Sequence, residues 1–444
     1  MPPVPLNIPA QQSTRRPSPP SPAVEHDLGN TDETFDLLRA WFDEYGDVYR
    51  VYSRARRSWT WVITHPDDVK RVLVNNHRNY TKGVGIDRIR LLLGDGIMTS
   101  EGNLWRRQRR MMQPAFHRSV IERFAGVVRR ENGALANDWE RAARSGALIN
   151  VTESTSRLTL RIILQAVFSE DLERLVRGLD DNPFMVVTQE SKRDPRFAYE
   201  FRQLRHHVAA LARDRAASGR RHFDFLQMLI DARDADSGEP MDSKELLDEV
   251  MTLVVAGHET TASVLNWTWW LLSRHVDAET RVFKELARAG DIAGERYADL
   301  ARLPYTRQVI DESMRLYPPA WLLTRRSIGP DTLGGYRLPP RTDVFISPYL
   351  LHRHPRHWAR PDAFDPGNFS PELVEARHAF AYIPFSAGPR HCIGQSLALY
   401  EMMLHLHCMM RRFRLVGPVP ELPAAEARIN LRTAGDIHMR VERR

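Results

Sequence analysis

A ten-residue loop, Phe385 to Gly394, constrains this chain more than any other stretch, because it delivers a single cysteine to the start of a helix. The loop reads Phe-Ser-Ala-Gly-Pro-Arg-His-Cys-Ile-Gly, and from Ser396 onward large apolar side chains recur with helical spacing. A helix N-terminus favours thiolate over thiol, so the pattern predicts a lowered pKa for Cys392. Gly388 and Gly394 permit close approach of the backbone to a flat or bulky group.

The neighbours of Cys392 indicate which group that is. Arg390 places a fixed cation two residues before the sulfur, so the loop offers a thiolate for a metal and a guanidinium for a carboxylate. An iron porphyrin needs both, because thiolate sulfur is an axial ligand of haem iron in some proteins and the haem propionates are anionic. The alternative is a buried free cysteine that only packs, which is the usual state of a lone cysteine.

The complete pattern Phe-x-x-Gly-x-Arg-x-Cys-x-Gly resembles the haem-binding signature of the cytochrome P450 superfamily, the haem-thiolate monooxygenases. Three further motifs occur in the order of that family: Trp105-x-x-x-Arg109, Ala256-Gly257-His258-Glu259-Thr260-Thr261 and Glu312-x-x-Arg315. Each is weak alone, whereas four in order at compatible spacing are specific. The resemblance covers about residues 30–444. It implies a mainly α-helical fold, a triangular prism of helices with small β-sheets, in which haem lies between the long central helix and the helix after the cysteine loop.

By this resemblance Cys392 is the axial ligand of the iron of haem b, and the other cofactor contacts are Trp105, Arg109, Arg325, Phe385, Arg390, Gly394, Ala256 and Gly257. Trp105 and Arg109 stand four residues apart on a basic helix, so they share one face and can both point at a propionate. From the residues alone, that helix reads as a solvated basic face with one aromatic anchor. By resemblance Arg325 is a further propionate contact. Because Arg326 is adjacent, the sequence leaves open which of the two arginines makes this contact.

The longest predicted helix, Lys244 to His275, has an unusual centre. Gly257 costs about 1 kcal/mol relative to alanine inside a helix, and two threonines follow. A glycine and a threonine hydroxyl can loosen the helix hydrogen bonds and form a groove, and the alternative is a buried polar kink used for packing. The resemblance makes this stretch an oxygen-activation motif, with O2 as co-substrate, Thr260 as the proton-relay alcohol and Glu259 as its acid partner.

Two further groups are assigned by their position in the resembled family. Glu312 and Arg315 form a structural pair whose third member, an arginine in the family, is Asn368 here, so we expect a weaker network in which Asn368 bonds the buried arginine. Alternating apolar residues from 429 to 441 predict a terminal hairpin whose tip near Ala434 is a pocket wall.

Other parts of the pocket are also assigned by family position. Residues 180–195 are expected to be a mobile loop that roofs the pocket. The predicted pocket is apolar and comprises Ile97, Met98, Leu253, Ala320, Leu322 and Ala434.

Charge and composition limit the partners and the location. The net charge is +7, but the basic residues are dispersed without aromatic interleaving, which argues against nucleic acid and favours an acidic protein partner. No apolar run is long enough for a membrane anchor, and two cysteines cannot form a disulfide framework, so we expect a cytoplasmic protein. Residues 1–28, rich in proline and serine, are predicted to be a flexible arm, and residues 29–444 a single haem domain.

The implied activity is reductive activation of O2 and insertion of one oxygen atom into a lipophilic small molecule, by hydroxylation or epoxidation. No flavin or iron–sulfur domain is visible, so electrons are expected from a separate ferredoxin or flavodoxin and its reductase. We expect this partner to dock on the cysteine side of a monomer, helped by Arg353, Arg356 and the Trp105 helix. The alternatives are a peroxygenase, which the intact Glu259–Thr260 pair disfavours, an isomerase or dehydratase of the same fold, and a non-catalytic haem sensor. Fatty acids, terpenoids and polyketide-like compounds all remain possible substrates.

Overall fold

The structure is a computed structural model that describes residues 18–29, 31–176, 195–292, 296–417 and 423–444. The predicted roof loop, 180–195, therefore lies outside the described residues except at its last position. The α-helices are α1 (Asp32–Tyr45), α2 (Pro66–Lys70), α3 (Ile86–Leu93), α4 (Gly102–Met112), α5 (Arg118–Ile121), α6 (Ala125–Ser145), α7 (Val151–Phe168), α8 (Asp171–Val176), α9 (Pro195–Ser218), α10 (Phe225–Asp231), α11 (Ser243–Arg274), α12 (Val276–Ala289), α13 (Pro304–Leu316), α14 (Pro348–Leu351), α15 (Pro371–Ala376) and α16 (Gln395–Met410).

The strands are short and form separate small sheets. They are β1 (Val48–Ser53), β2 (Ser58–Ile63), β3 (Tyr80–Lys82), β4 (Leu148–Asn150), β5 (Leu323–Ser327), β6 (Asp331–Leu333), β7 (Tyr336–Leu338), β8 (Asp343–Ile346), β9 (Phe413–Val416), β10 (Ala425–Ala427), β11 (Leu431–Thr433) and β12 (His438–Arg443). β1 and β2 form the predicted antiparallel hairpin, and they continue into a five-stranded sheet of order β1-β2-β8-β5-β3. β2 pairs with β8 in parallel, although about 280 residues separate them along the chain.

The helical body is organised around α11, whose 32 residues begin with a capping box. The Asp242 carboxylate accepts from the Glu245 backbone N–H, and the Glu245 side chain accepts from the Asp242 N–H, which satisfies two free donors of the first turn. From Val264 to Leu272 every side chain of α11 is buried, so this half crosses the main hydrophobic core. α7 packs along α11, and α16 packs against α6 in the same core. The fold is mainly α-helical, as expected.

The C-terminal segment differs from the predicted hairpin. β11 pairs with β10, whereas β12 pairs with β4 and β9 in another sheet, so the two alternating segments do not pair with each other. Alternation records only that each segment has one buried face, and it carries no information about the partner strand. The turn of the real hairpin lies between Ala427 and Leu431, not at Ala434.

The predicted N-terminal arm is described from residue 18 onward. The Arg50 backbone N–H donates to the Pro20 carbonyl and the His26 N–H donates to the Tyr52 carbonyl, both at about 3 Å, so this part runs beside β1. Leu28 is 1 % exposed and packs in the core beneath this sheet. The boundary between the arm and the haem domain at residue 29 stays a prediction.

Within the described ranges, no helix combines the length and the apolarity needed to cross a bilayer.

Candidate functional site

The cysteine loop is held by backbone geometry. The Cys392 N–H donates to the Phe385 carbonyl at 2.9 Å, and Gly394 is the N-cap of α16. Gly388 has a φ of +71°, and a Cβ there would clash with the Leu73 carbonyl oxygen, so only glycine fits. The loop therefore docks against the residues that follow α2 and presents Cys392 just before the helix, as predicted.

The environment of the Cys392 thiol corrects one expectation. Burial, the largest influence, raises its pKa, while the Gly394 and Gln395 backbone N–H groups and the Arg109 guanidinium lower it by a smaller amount. The predicted lowered pKa is therefore wrong, because desolvation of the thiolate outweighs the helix terminus. The Cys392 side chain is nevertheless accessible.

The two adjacent arginines between which the sequence did not decide differ in burial. Arg326 forms a two-bond ion pair with Asp343, with both N–O distances at 2.9 Å, and its side chain is nearly half exposed. Arg325 is 9 % exposed and donates to the Thr324 carbonyl, with no carboxylate partner among the described residues. Burial, with a smaller contribution from Arg390, lowers the Arg325 pKa to about 10. Arg325 is thus a buried arginine that forms no ion pair within the described part of the chain, although the Glu101 charge acts on it.

Two residues that sequence reasoning missed complete this cationic cluster. Glu101 pairs with Arg390 and accepts from the Lys82 backbone N–H at 2.6 Å. The Lys82 ammonium donates to the Met98 carbonyl, and burial, with repulsion from Arg325 and Arg390, lowers its pKa to about 7. Neither Lys82 nor Glu101 belongs to a motif, so no local pattern could have identified them.

Trp105 and Arg109 contact the loop from the other side, as their shared helix face predicted. The Arg109 guanidinium donates to the His391 carbonyl at 2.8 Å, and burial lowers its pKa. The Arg390 guanidinium stacks on the Trp105 ring, 4.4 Å from its centroid. The reading of α4 as a purely solvated basic face is therefore wrong for these two residues.

These side chains fit haem. Lys82, Arg109, Arg325 and Arg390 lie around the cysteine loop, and Glu101 is the carboxylate that acts on Lys82, Arg325 and Arg390. Burying several cations with one carboxylate is costly unless further anions are supplied. Haem b carries two propionates and an iron that binds thiolate, which matches both the surplus of positive charge and the accessible sulfur.

The opposite side of the site is formed by α11, which runs without a break from Ser243 to Arg274. The Thr260 hydroxyl donates to the Ala256 carbonyl at 2.9 Å, the i−4 bond expected of a threonine inside a helix. Gly257 does not interrupt the helix. A Cβ at Gly257 would lie 2.9 Å from two side-chain carbons of Ile163, so this glycine permits the close packing of α11 on α7. The packing interpretation of Gly257 therefore replaces the expected loosening.

Glu259 has a partner that the sequence did not reveal. The Asn430 side-chain amide, in the turn between β10 and β11, donates to the Glu259 carboxylate at 2.9 Å. Burial raises the Glu259 pKa, and the Asn430 hydrogen bond and the Arg432 charge oppose that shift. The two residues are separated by 171 positions, so only the tertiary structure could bring them together.

The predicted pocket residues come from three parts of the chain. Ile97 and Met98, both partly exposed, belong to the segment 94–98, which crosses α11, and Leu253 lies on α11 itself. The Ile97 backbone N–H donates to a Glu249 carboxylate oxygen at 2.9 Å. Ala320 and Leu322 flank the buried Trp321, whose indole N–H donates to the Arg428 carbonyl at 2.9 Å.

Ala434 is misplaced as the hairpin tip. The turn beside Glu259 comprises residues 428–430, with Ile429 47 % exposed, and Ala434 lies at the other end of β11. The predicted tip was wrong because β11 pairs with the segment before it and not with the segment after it. Ile429 and Asn430 are the residues at the real tip.

The Glu312–Arg315 network includes Asn368, but through Glu312 and not through the arginine as expected. The two side chains are 0 % exposed and form a two-bond ion pair at 2.7 and 2.8 Å. Asn368 donates to Glu312 at 3.2 Å and does not bond Arg315. The Asp365 backbone N–H also donates to Glu312, and Arg315 donates to three backbone carbonyls, those of His352, Pro361 and Ala363.

A relay of hydrogen bonds joins this network to the cysteine loop. His352 accepts from the Ile383 backbone N–H at 2.9 Å, and the Ile383 carbonyl accepts from the Ser386 N–H at 3.0 Å. Burial lowers the His352 pKa, so the imidazole stays neutral and can accept. The ion pair thus supports the start of the loop through backbone contacts.

The surface on the cysteine side carries a groove of about 900 Å³, lined by residues of α4 and the cysteine loop, among them Trp105, Arg106, Pro389 and His391.

Several of the arginines expected to dock a redox partner already contact acidic side chains of the same chain. Arg353 has an 11 % exposed side chain, stacks on Tyr349 and bonds Asp362, so its predicted docking role is wrong. Acidic groups of the same chain also pair Arg356, Arg107 and Arg110, whereas Arg106 bonds only the neutral Asn103 among the described residues.

The chain matches a protein-family model described as Cytochrome P450 over residues 17–194 and 180–426. It is 38 % identical over 374 residues to cyclooctatin synthase of Streptomyces melanosporofaciens, with 80 % of each chain covered. It is 33 % identical to cyclooctat-9-en-7-ol 5-monooxygenase of the same organism, covering 85 % of this chain and 84 % of the relative. Pentalenene oxygenase of Streptomyces avermitilis is 31 % identical, with 84 % of each covered.

The solved structures give the same result for the fold. The haem domain of cytochrome P450DA superposes with a TM-score of 0.85 at 25 % identity, covering 96 % of this chain and 98 % of that one. A second cytochrome P450 superposes with the same TM-score at 23 % identity, covering 96 % of this chain and all of that one.

Proposed function

The chain belongs to the cytochrome P450 family and is a haem-thiolate monooxygenase, and on this premise we propose that it oxidises a cyclic terpenoid in the pocket beside α11. The observation that carries the site is the accessible Cys392 thiol beside a buried cluster of cations that outnumber Glu101, the carboxylate that acts on them. Three relatives support the substrate class, because their names concern cyclooctatin, cyclooctat-9-en-7-ol and pentalenene. The apolar character of Ile97, Met98 and Leu253 suits such a molecule.

We propose the following roles for the residues around the cofactor. Cys392 would hold the iron through its sulfur. Gly394 would let the backbone approach the flat cofactor closely beside that sulfur. Arg109, Arg325 and Arg390 neutralise the propionates, with Trp105 orienting Arg390 and Lys82 adding charge. When bound, haem b supplies the activation of O2 and the transfer of one oxygen atom to a carbon centre. The protein supplies orientation, exclusion of water, and protons.

Proton delivery is the proposed task of Glu259 and Thr260. Burial raises the pKa of Glu259 and so favours its protonated form. The Asn430 amide fixes the orientation of this carboxyl group, and the Thr260 hydroxyl on the next residue, which donates to the Ala256 carbonyl, is the exchangeable hydroxyl of the relay. Asn430 is therefore a positioning residue in this proposal.

We propose that electrons come from a separate protein and that an acidic ferredoxin or flavodoxin docks in the groove at Trp105, Arg106 and Pro389. Arg106 supports docking in this groove because no acidic side chain among the described residues neutralises its charge.

A cytoplasmic location is also proposed, supported by the two free cysteines. The monomeric state stays a prediction.

The test of the haem-thiolate site is the reduced carbon-monoxide difference spectrum of the loaded protein. We expect the wild type to show the thiolate-type Soret shift and Cys392→Ser to lose it completely. Cys408→Ser, which changes the other cysteine of the chain, is the matched control and should keep the shift. A thiolate-type spectrum in Cys392→Ser would contradict the assignment of the ligand.

A further inference from the structure

Glu101 is the carboxylate within the cationic cluster around the cysteine loop, and no motif assigns it a task. It holds the N-cap position of α4, where a carboxylate can accept from the free N–H groups of the first turn. The Glu101 side chain makes no such bond, and both of its oxygens contact other segments of the chain. Those contacts, and not helix capping, therefore account for its position.

The two oxygens of Glu101 join the start of α4 to two distant segments. One accepts from the Lys82 backbone N–H of β3 at 2.6 Å, and the other pairs with the Arg390 guanidinium of the cysteine loop. Arg390 also donates to the Ser100 carbonyl at 3.1 Å and stacks on the Trp105 ring. Glu101 is thus the charged contact that fixes the direction of this guanidinium.

The charge of Glu101 acts on three cations of the cluster. Burial is the largest influence on Lys82, Arg325 and Arg390 and lowers the pKa of each, and the Glu101 carboxylate opposes this effect in all three. The Glu101 and Arg390 side chains are only 29 % and 18 % exposed, so solvent screens their pair in part. One negative charge therefore influences the whole group of cations.

We propose that Glu101 is a positioning residue of the haem site, which holds Arg390 in place for a propionate and lowers the reduction potential of the iron through its negative charge. An arginine bonded to Glu101 on one side keeps further N–H donors for a propionate. An added electron makes the cofactor more negative, so a nearby carboxylate disfavours the reduced state. The inference rests on the proposed role of Arg390 as a propionate contact.

The experiment uses the full-length, haem-loaded protein and two measurements that do not depend on turnover. Titration with dithionite and redox mediators gives the reduction potential, and transfer of haem to excess apomyoglobin gives the rate of haem loss. Glu101→Gln removes the charge but keeps a side-chain oxygen for the Lys82 N–H. We expect this variant to favour the reduced state about threefold, which is an upward shift of about 30 mV at 59 mV per tenfold change.

Glu101→Ala tests the positioning. It removes the contacts to Lys82 and Arg390, and we expect haem loss to become about tenfold faster, the usual effect of removing a group that supports a cofactor contact. Glu245→Gln is the matched control. Glu245 pairs at 2.6 Å with Arg107, an arginine of α4 outside the cationic cluster, and glutamine can replace glutamate in its capping box. This variant should leave both the potential and the rate of haem loss unchanged.

The proposal fails in either of two ways. A potential in Glu101→Gln that is unchanged, lower, or raised no more than in Glu245→Gln would show that the carboxylate charge does not act on the cofactor. Haem loss at the wild-type rate in Glu101→Ala would show that Arg390 needs no positioning. The potential of Glu101→Gln decides even if Glu101→Ala does not fold. A wild type without the thiolate-type carbon-monoxide spectrum would instead refute the haem site itself, whereas with that spectrum intact only the role of Glu101 fails.

Discussion

Two buried glutamates on opposite sides of the site differ in how fully they are bonded. Glu312, in the scaffold of the cysteine loop, accepts from Arg315, from the Asp365 N–H and from Asn368. Glu249, beside the predicted pocket, accepts from one backbone N–H and keeps one oxygen without a partner among the described residues. Glu312 is therefore fully bonded within the protein, whereas burial leaves one Glu249 oxygen without a hydrogen bond from the described residues.

The largest expected effect concerns the scaffold side. Replacing Arg315 by Leu leaves the Glu312 carboxylate buried without a cation, and we expect the free energy of unfolding to fall by about 3–5 kcal/mol. Urea denaturation of the purified protein measures this loss. Because the network supports Ser386 through His352 and Ile383, the variant should also retain less haem.

The matched control for Arg315→Leu is Arg157→Ala. Arg157 pairs with Glu153 at 3.4 Å across one helical turn, and both side chains are more than half exposed. Solvent screens such a pair, so the change should be within about 0.5 kcal/mol. A loss of stability no greater for Arg315→Leu than for the control would show that the scaffold is not a coupled unit.

The second prediction concerns the pocket side and is a pH dependence. Burial raises the Glu249 pKa to about 8, so the native state binds this proton more tightly than the unfolded chain does. Its contribution to stability is therefore full below a pH of about 4.5, the ordinary value for a glutamate, and is lost as the pH rises toward 8. Glu249→Gln removes this loss. We expect its stability relative to wild type to increase by about 2–4 kcal/mol between pH 5 and pH 8.

The measurement is urea denaturation of both proteins across that range, with Glu44→Gln as the control. Glu44 is exposed, so the difference between this control and wild type should stay constant with pH. A constant difference for Glu249→Gln as well would mean that the carboxyl group ionises normally. In that case the contrast with Glu312 would disappear.

The smallest expected effect concerns the surface on the cysteine side. Arg106→Glu should lower the rate of reduction by an acidic ferredoxin about three- to tenfold at low ionic strength, and the difference should shrink as salt screens the charges. Stopped-flow reduction at several salt concentrations measures this. Arg337→Glu makes the same charge change on the exposed part of β7 and should leave the rate unchanged. Equal effects of the two variants would place docking elsewhere.

The scaffold side could be predicted largely from the sequence. The cysteine loop, the Trp105–Arg109 face and the Glu312–Arg315 pair each lie within one short segment, where helix spacing and turn residues fix which side chains are neighbours. The contacts of the Glu312 network could still not be predicted in full. Backbone carbonyls and an N–H provide most of its hydrogen bonds, and a sequence does not show where those groups point.

The pocket side could not be predicted to the same extent, because it is assembled from distant segments. Asn430 meets Glu259, Ile97 meets Glu249, and Glu101 meets Arg390 over separations of more than 150 residues. The misplaced tip at Ala434 has the same origin, since alternation identified the strands but not their pairing.

The sequence by itself determined that a cysteine precedes a helix, that an acid–alcohol pair lies within a long helix, and that the motifs follow the order of one family. Covalent neighbours and helix periodicity are enough for these conclusions. Only the tertiary structure decided that Arg325 and not Arg326 is the buried cation, that Gly257 serves packing, and that Glu249 keeps a free oxygen. Each of these depends on desolvation and on contacts between residues far apart in the chain, which arise when the chain folds.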